Sequence, residues 1–261
     1  MRAFVLAACL AALAGPAMAQ TYAARGVDIV YAAANLHVVP ENRTDIAVEV
    51  TPGARVAAPT VRVVNGRVVI DGGLRNRLRG CGGFMVGPNN MPVQIAGIGG
   101  VQRTNLPHIT LHVPRTLDLT SGGAVFGDVG ASDGGRVRFA GCGTIDMGAV
   151  NGALDVEQAG SGDLHIADVT GSVRGELNGS GDLRVTRIGQ GADFALNGSG
   201  DVNVGPVGGI LNASLDGSGD LNIGDVGRTA TLRVDGSGDM SIGAVHGGAD
   251  ARVDGSGGLR V

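Results

Sequence analysis

The chain has 261 residues, of which 48 are glycine and none is lysine or tryptophan, and its formal net charge is −4. The charge is uneven: residues 20–120 hold ten arginines and six acids, residues 121–261 nine arginines and eighteen acids. With aromatics at 3 % and the longer part acidic, the chain has neither the broad basic face nor the stacking platforms of nucleic-acid binders, and no nucleic-acid partner is expected.

The chain opens as an export signal. Met1-Arg2 is a basic start, Phe4 to Ala14 is apolar, and Ala17-Met18-Ala19 is a small-x-small cleavage site, so residues 1–19 are predicted to be removed and 20–261 to form the mature domain. The apolar stretch is shorter than the ~20 residues a spanning helix needs, and no later segment qualifies, so no membrane span is expected. Leu6-Ala7-Ala8-Cys9 offers an alternative, a lipoprotein site that would anchor Cys9, but it leaves little room for an apolar region before it. Export predicts a periplasmic, outer-envelope or extracellular protein. Two cysteines then remain, Cys81 and Cys142, each within Gly-Cys-Gly. An oxidising compartment favours a disulfide between them, and a structural zinc site would want four ligands.

Short alternating runs at Val27–Tyr31, Leu36–Val39, Ile46–Val50, Val61–Val64 and Val68–Ile70 predict N-terminal strands over residues 20–74. A glycine-rich stretch, residues 75–105 with Leu74 at its edge, reads as a long loop holding Cys81, Pro88 and Pro92. Its basic cluster, Arg75-Asn76-Arg77-Leu78-Arg79, reads as solvated, and a Cys81–Cys142 bond would tether the loop to the early coils. From Leu106 the chain enters coils that continue to Val261. Leu106–Pro114 alternates as a strand, on which His108 and His112 stand ~13 Å apart, too far to share a metal ion; Leu117–Leu119 and Val125–Val129 continue as irregular first coils.

The second half repeats. Gly-Ser-Gly-Asp begins at Gly160, Gly179, Gly198, Gly217 and Gly236, every 19 residues, with degenerate copies at Gly141 and Gly255. Numbering each repeat from that first glycine, positions 5 and 7 are apolar (Leu183 and Val185, for example), position 10 is always Val or Ile, and positions 14, 16 and 18 alternate as in Ala192-Phe194-Leu196. Each repeat therefore offers two short strands with one inward face. No repeat can bury that face alone; stacked in register, the apolar rows become ladders with strands ~4.8 Å apart. Parallel crossovers are right-handed, so a right-handed parallel β-helix with 19-residue coils is predicted after the N-terminal strands.

In the phrase itself, the glycines are expected to supply positive φ at a tight corner, with Ser and Asp accepting hydrogen bonds from the corner's own amides. Stacking brings Asp163, Asp182, Asp201, Asp220 and Asp239 into one row, where neighbouring carboxylates repel by roughly 1 kcal/mol in water. Turn hydrogen bonds or cations must offset this. Calcium is the alternative cofactor, although calcium-binding β-repeats place Asp differently after glycine and shape both corners. No other cofactor is implied.

The N-terminal strands, the Leu106–Pro114 lead-in and the repeated Gly-Ser-Gly-Asp-Leu-x-Val together resemble the GIN domain, the auto-transporter adhesin head family, over roughly Val27 to Val261. The resemblance implies an exported bacterial β-helical protein of the envelope and transfers no functional residue. Here no series of amphipathic strands with aromatic girdles marks a membrane barrel. The expected role is non-catalytic, binding an envelope or surface partner: position 17 runs Glu157, Glu176, Ala195, Ser214, Arg233, Arg252, from acidic to basic along the rod. The alternative is a polysaccharide-acting enzyme, disfavoured by evenly spaced carboxylates, few aromatics and no consistent Ser–His pairing. An open coil edge at Leu259-Arg260-Val261 adds the expectation of a homo-oligomer.

Overall fold

The computed structural model describes residues 19–82 and 92–261. The signal segment up to Met18, the alternative anchor Cys9, and Pro88 of the predicted loop lie outside the described residues. The chain is an all-β parallel solenoid of about eight turns with coils of about 19 residues, preceded by N-terminal strands.

The early strands are β1 (Gln20–Tyr22), β2 (Gly26–Glu41), β3 (Ile46–Thr51), β4 (Thr60–Val64), β5 (Arg67–Asp71), β6 (Leu78–Cys81), β7 (Val93–Ile95), β8 (Gly99–Val101), β9 (His108–Pro114) and β10 (Leu117–Val129). The regular coils come next, as pairs: β11 (Gly135–Cys142) and β12 (Thr144–Met147), β13 (Leu154–Gln158) and β14 (Asp163–Val169), β15 (Val173–Leu177) and β16 (Leu183–Ile188). The last are β17 (Ala192–Leu196) and β18 (Val202–Val204), β19 (Leu211–Leu215) and β20 (Leu221–Ile223), β21 (Ala230–Val234) and β22 (Met240–Ile242), β23 (Ala249–Val253) and β24 (Leu259–Arg260).

From β11 on, odd-numbered strands stack in parallel as a first wall and even-numbered strands as a second. A third face is a line of bridges through the position-10 residues, including Val150, Val169, Ile188, Val207, Val226 and Val245. The predicted inward slots fill the interior: Leu183, Val185, Ile188, Phe194 and Leu196 are each at most 1 % exposed. Each such aliphatic side chain contributes about 1.5–3 kcal/mol on burial.

Two strands run through both walls. β10 pairs with β11 by its first half and β12 by its second, and β2 lies alongside it throughout. The runs predicted as separate strands at Val27–Tyr31 and Leu36–Val39 are therefore one strand, bent at Tyr31 with φ 50°. β5 and β9 extend the halves of β2 in parallel. Antiparallel β4, β3 and then β1 finish that end of the walls.

Among its described residues the predicted long loop is largely structured. Arg75–Arg77 forms a 3₁₀ turn, β6, β7 and β8 make a small antiparallel sheet, and Arg103–Asn105 is a second 3₁₀ turn. This flap has its own apolar cluster, in which Leu74, Val93, Ile95 and Val101 meet Ala33, Ala124 and Phe126 of β2 and β10. Its hydrophobes alternate over runs too short to outweigh the surrounding glycines.

The role predicted for the phrase glycines is corrected. None of those in the Gly-Ser-Gly-Asp phrases has a left-handed φ. They are glycine because successive corners touch backbone to backbone: a Cβ on Gly198 would stand 1.9 Å from the Gly179 carbonyl oxygen, and one on Gly217 2.0 Å from that of Gly198. Positive φ is needed instead at Gly123, Gly134, Gly135 and Gly143 of the irregular early coils.

Candidate functional site

The aspartate row exists as expected, but its partners differ. Each carboxylate accepts a hydrogen bond from the backbone N–H one coil further on. Asp182 N–H donates to Asp163 Oδ1 at 3.2 Å; Asp201 to Asp182, Asp220 to Asp201 and Asp239 to Asp220 continue the series at 2.9 Å. Gly258 closes the row on Asp239 at 2.7 Å. The row thus stitches coil to coil rather than closing its own corners, and one oxygen of each carboxylate is committed to an amide. Among the described residues no three His, Cys, Asp or Glu side chains are grouped to hold a metal ion.

The cysteines meet. Cys81 on β6 and Cys142 at the end of β11 form a disulfide with Cα atoms 5.7 Å apart. Cys142 holds the outward corner position that serine takes in the Gly-Ser-Gly-Asp phrases, which is why its side chain can reach the flap. Arg75, from the basic cluster, lies over the Tyr31 ring at 5.1 Å, and Arg77 donates to the Ala96 carbonyl, so both brace the flap.

The second wall carries one unbroken outward row. In register, Thr110 on β9 stands beside His37 on β2, then Asp128, Asp146 and His165. Arg184, Asn203, Asn222, Ser241 and Arg260 continue it. The early part satisfies itself: His37 Nδ1 is 2.7 Å from Asp128 Oδ2 and His165 Nδ1 is 2.9 Å from Asp146 Oδ1. Two adjacent carboxylates are therefore each flanked by an imidazole.

Where the flap meets this row, a concavity of about 410 Å³ opens between Arg103 and Thr104 on one side and His37, His108, Thr110 and Asp128 on the other. Arg103 is fixed there, its guanidinium 5.2 Å from the Phe126 ring centre and its Nε donating to Asn35 Oδ1. His108 is exposed, while His112, further along β9, approaches Glu41 at 3.1 Å.

Further along the same wall a shallow trough of about 520 Å³ is lined by Arg184, Thr186, Asn203, Gly205, Asn222 and Gly224. Beyond Thr186 the coils pack too closely for a side chain at the next rung: a Cβ on Gly205 would lie 1.9 Å from the Thr186 carbonyl oxygen. Asn178 and Asn197, at a different corner, bond to Glu176 and to one another. Asn203, Asn222 and Ser241 have no such side-chain partner among the described residues. Neither recess was visible in the sequence, since each is assembled from residues a coil or more apart.

The first wall is charged on its outside. Asp118, Arg136, Asp155, Arg174 and Asp193 alternate rung by rung, with Arg136 and Asp155 3.0 Å apart. At its start Arg67 binds Asp28 through Nε and Asp118 through a terminal nitrogen; these hydrogen bonds, Asp28 first, hold its guanidinium above the ordinary arginine value. The position-17 row runs outward on this wall in the predicted order.

Residues 96–224 match the model of the family described as "putative auto-transporter adhesin, head GIN domain". Among solved structures, the chain is similar to the crystal structure of a putative adhesin from Bacteroides fragilis, at 14 % identity and TM-score 0.41, over 94 % of this chain and 96 % of that one. Among curated proteins no match was found.

Proposed function

From a chain that carries a head GIN domain over residues 96–224, we propose a non-catalytic, adhesin-like binding protein, exported to the cell envelope, that holds an extended neutral partner along its second wall. The observation that carries this reading is the trough over β16, β18, β20 and β22, where amide and hydroxyl groups without side-chain partners among the described residues repeat at the coil spacing beside Gly205 and Gly224. Amides both donate and accept, as do sugar hydroxyls, so the row suits a polymer whose groups do the same. The ~4.8 Å spacing between coils presents them as a ladder, which favours a repeating chain over a compact ligand. Within the trough the outward row is uncharged from Asn203 through Asn222 to Ser241.

Equilibrium binding of the purified chain to neutral polysaccharide fractions of envelope extracts tests the reading. Replacing Asn203 and Asn222 together by alanine is expected to weaken binding at least tenfold, and replacing Asn178 and Asn197 to leave it unchanged. Equal effects of the two pairs, or no saturable binding, would defeat the proposal; release of shortened glycan on long incubation would favour catalysis instead.

A further inference from the structure

We propose that the recess between the flap and the second wall binds a hydroxylated monocarboxylate, an acidic sugar of the uronic-acid class, whose carboxylate is taken by Arg103. The inference does not rest on the trough or on a neutral polymer there. At about 410 Å³, the recess falls within the size range of small-molecule sites. Four elements build it: Arg103 and Thr104 come from the 3₁₀ turn after β8, His108 and Thr110 from β9, His37 from β2 and Asp128 from β10.

Arg103 is held as a preset fork. Asn35 binds it twice, Nδ2 donating to the Arg103 carbonyl at 2.9 Å and Oδ1 accepting from Arg103 Nε at 3.1 Å. The Phe126 ring lies under the guanidinium, 5.2 Å away. The two terminal nitrogens are left without a hydrogen-bond partner among the described residues, and the charge without a counter-ion. Arg43, Arg62, Arg67 and Arg115, at the same end of the rod, are each paired with a carboxylate instead. No acid stands between Asp71 and Asp118 in the sequence, so the flap brings none of its own. Two N–H groups on a planar cation match a carboxylate bidentately, and a side chain already fixed loses little freedom in binding it.

The opposite side of the recess limits what else the ligand carries. Asp128 lines it, with Oδ2 2.7 Å from His37 Nδ1. A doubly charged ligand such as a phosphate monoester would be repelled by that carboxylate, so a single negative charge is favoured. The remaining lining groups are the hydroxyls of Thr104 and Thr110, the His108 imidazole and His37 Nε2, which its Asp128 contact leaves free. Hydroxyls and imidazole nitrogens donate or accept, as ring hydroxyls of a sugar require. Phe126 is only 7 % exposed and lies beneath Arg103, so the recess offers no aromatic face and an aromatic acid fits it poorly.

NMR titration of the isotope-labelled full chain with D-glucuronate, D-glucose and glucose-6-phosphate tests this, with circular dichroism confirming the fold of each variant. Glucuronate should shift the amides around the recess saturably and bind about tenfold or more tightly than either competitor. Arg103→Gln should weaken glucuronate by about tenfold or more. Arg228→Gln, the same loss of charge at an exposed position on a later coil, should leave binding unchanged. Asp128→Asn, which keeps an acceptor for His37 and removes the repelling charge, should bring glucose-6-phosphate close to glucuronate in affinity. No saturable shifts at the recess, glucose bound as tightly as glucuronate, equal losses from the two arginine variants, or glucose-6-phosphate binding indifferent to Asp128→Asn would each overturn the proposal.

Discussion

The Phe194 ring occupies the space that a side chain at Gly175 would need. The two are stacked in register on β17 and β15, and a Cβ on Gly175 would lie 2.6 Å from Phe194 Cδ1 and Cε1. The interior of the first wall is thus fitted rung against rung, a large residue over an absent one. Phe194→Ala is expected to cost about 3–5 kcal/mol by opening a cavity, and Gly175→Val about 1–3 kcal/mol by overfilling. Combined, they should cost less than their sum, because each relieves the other; denaturant unfolding of the four proteins measures that coupling. Strict additivity would mean that the rungs relax independently.

The corner glycines permit a test that separates two reasons for glycine. If left-handed φ were needed, asparagine would be tolerated better than alanine. At Gly217, where the obstacle is the Gly198 carbonyl oxygen 2.0 Å from a Cβ, Gly217→Asn and Gly217→Ala should both destabilise by about 2 kcal/mol or more. At Gly73, with φ 66° and nothing within 4 Å of a Cβ, Gly73→Asn should cost under about 1 kcal/mol. Thermal melts of the three variants decide it.

These cases show what the sequence could disclose. Slots such as Leu183, Val185 and Ile188 were legible because stacked coils give each position the same surroundings, so the period reports burial directly. The reason for Gly198 was not legible, because the atom it avoids belongs to another coil. β2 read as two strands because Ala32-Ala33-Ala34 does not alternate and its bend falls at Tyr31, which is not a turn residue. The flap was hidden in strands of three or four residues. Of the candidate site, the aspartate row and the cysteine pair came from spacing and compartment. The recess joining Arg103 to His37 and Asp128 depends on how the flap folds back over the wall, which no local pattern encodes.

For the aspartate row, the hydrogen bond rather than the charge is expected to matter. Asp201→Asn keeps an acceptor for the Asp220 amide, 2.9 Å away, and removes like-charge contact with Asp182 and Asp220; stability should change by less than about 0.5 kcal/mol. Asp201→Ala leaves that amide to water and should cost about 1 kcal/mol. Melting in calcium and in chelator should coincide for the unaltered chain. A calcium-dependent rise that Asp201→Asn abolishes would instead show that the row takes up cations.

The disulfide joins residues 61 apart in sequence, and constraining a loop of that length in the unfolded chain contributes about 4 kcal/mol on the chain-entropy argument. Replacing both cysteines by serine should lower stability by about 2–4 kcal/mol, read from denaturant unfolding. The loss should also be visible locally in the native protein. The flap's described amides at Ala96 and Ile98 bond to Arg77 and Ile95 within the flap itself, so without the tether they should exchange with deuterium much faster, while those of β13 to β21 keep their protection. Uniformly faster exchange along the rod would show that the bond secures the coils as well as the flap.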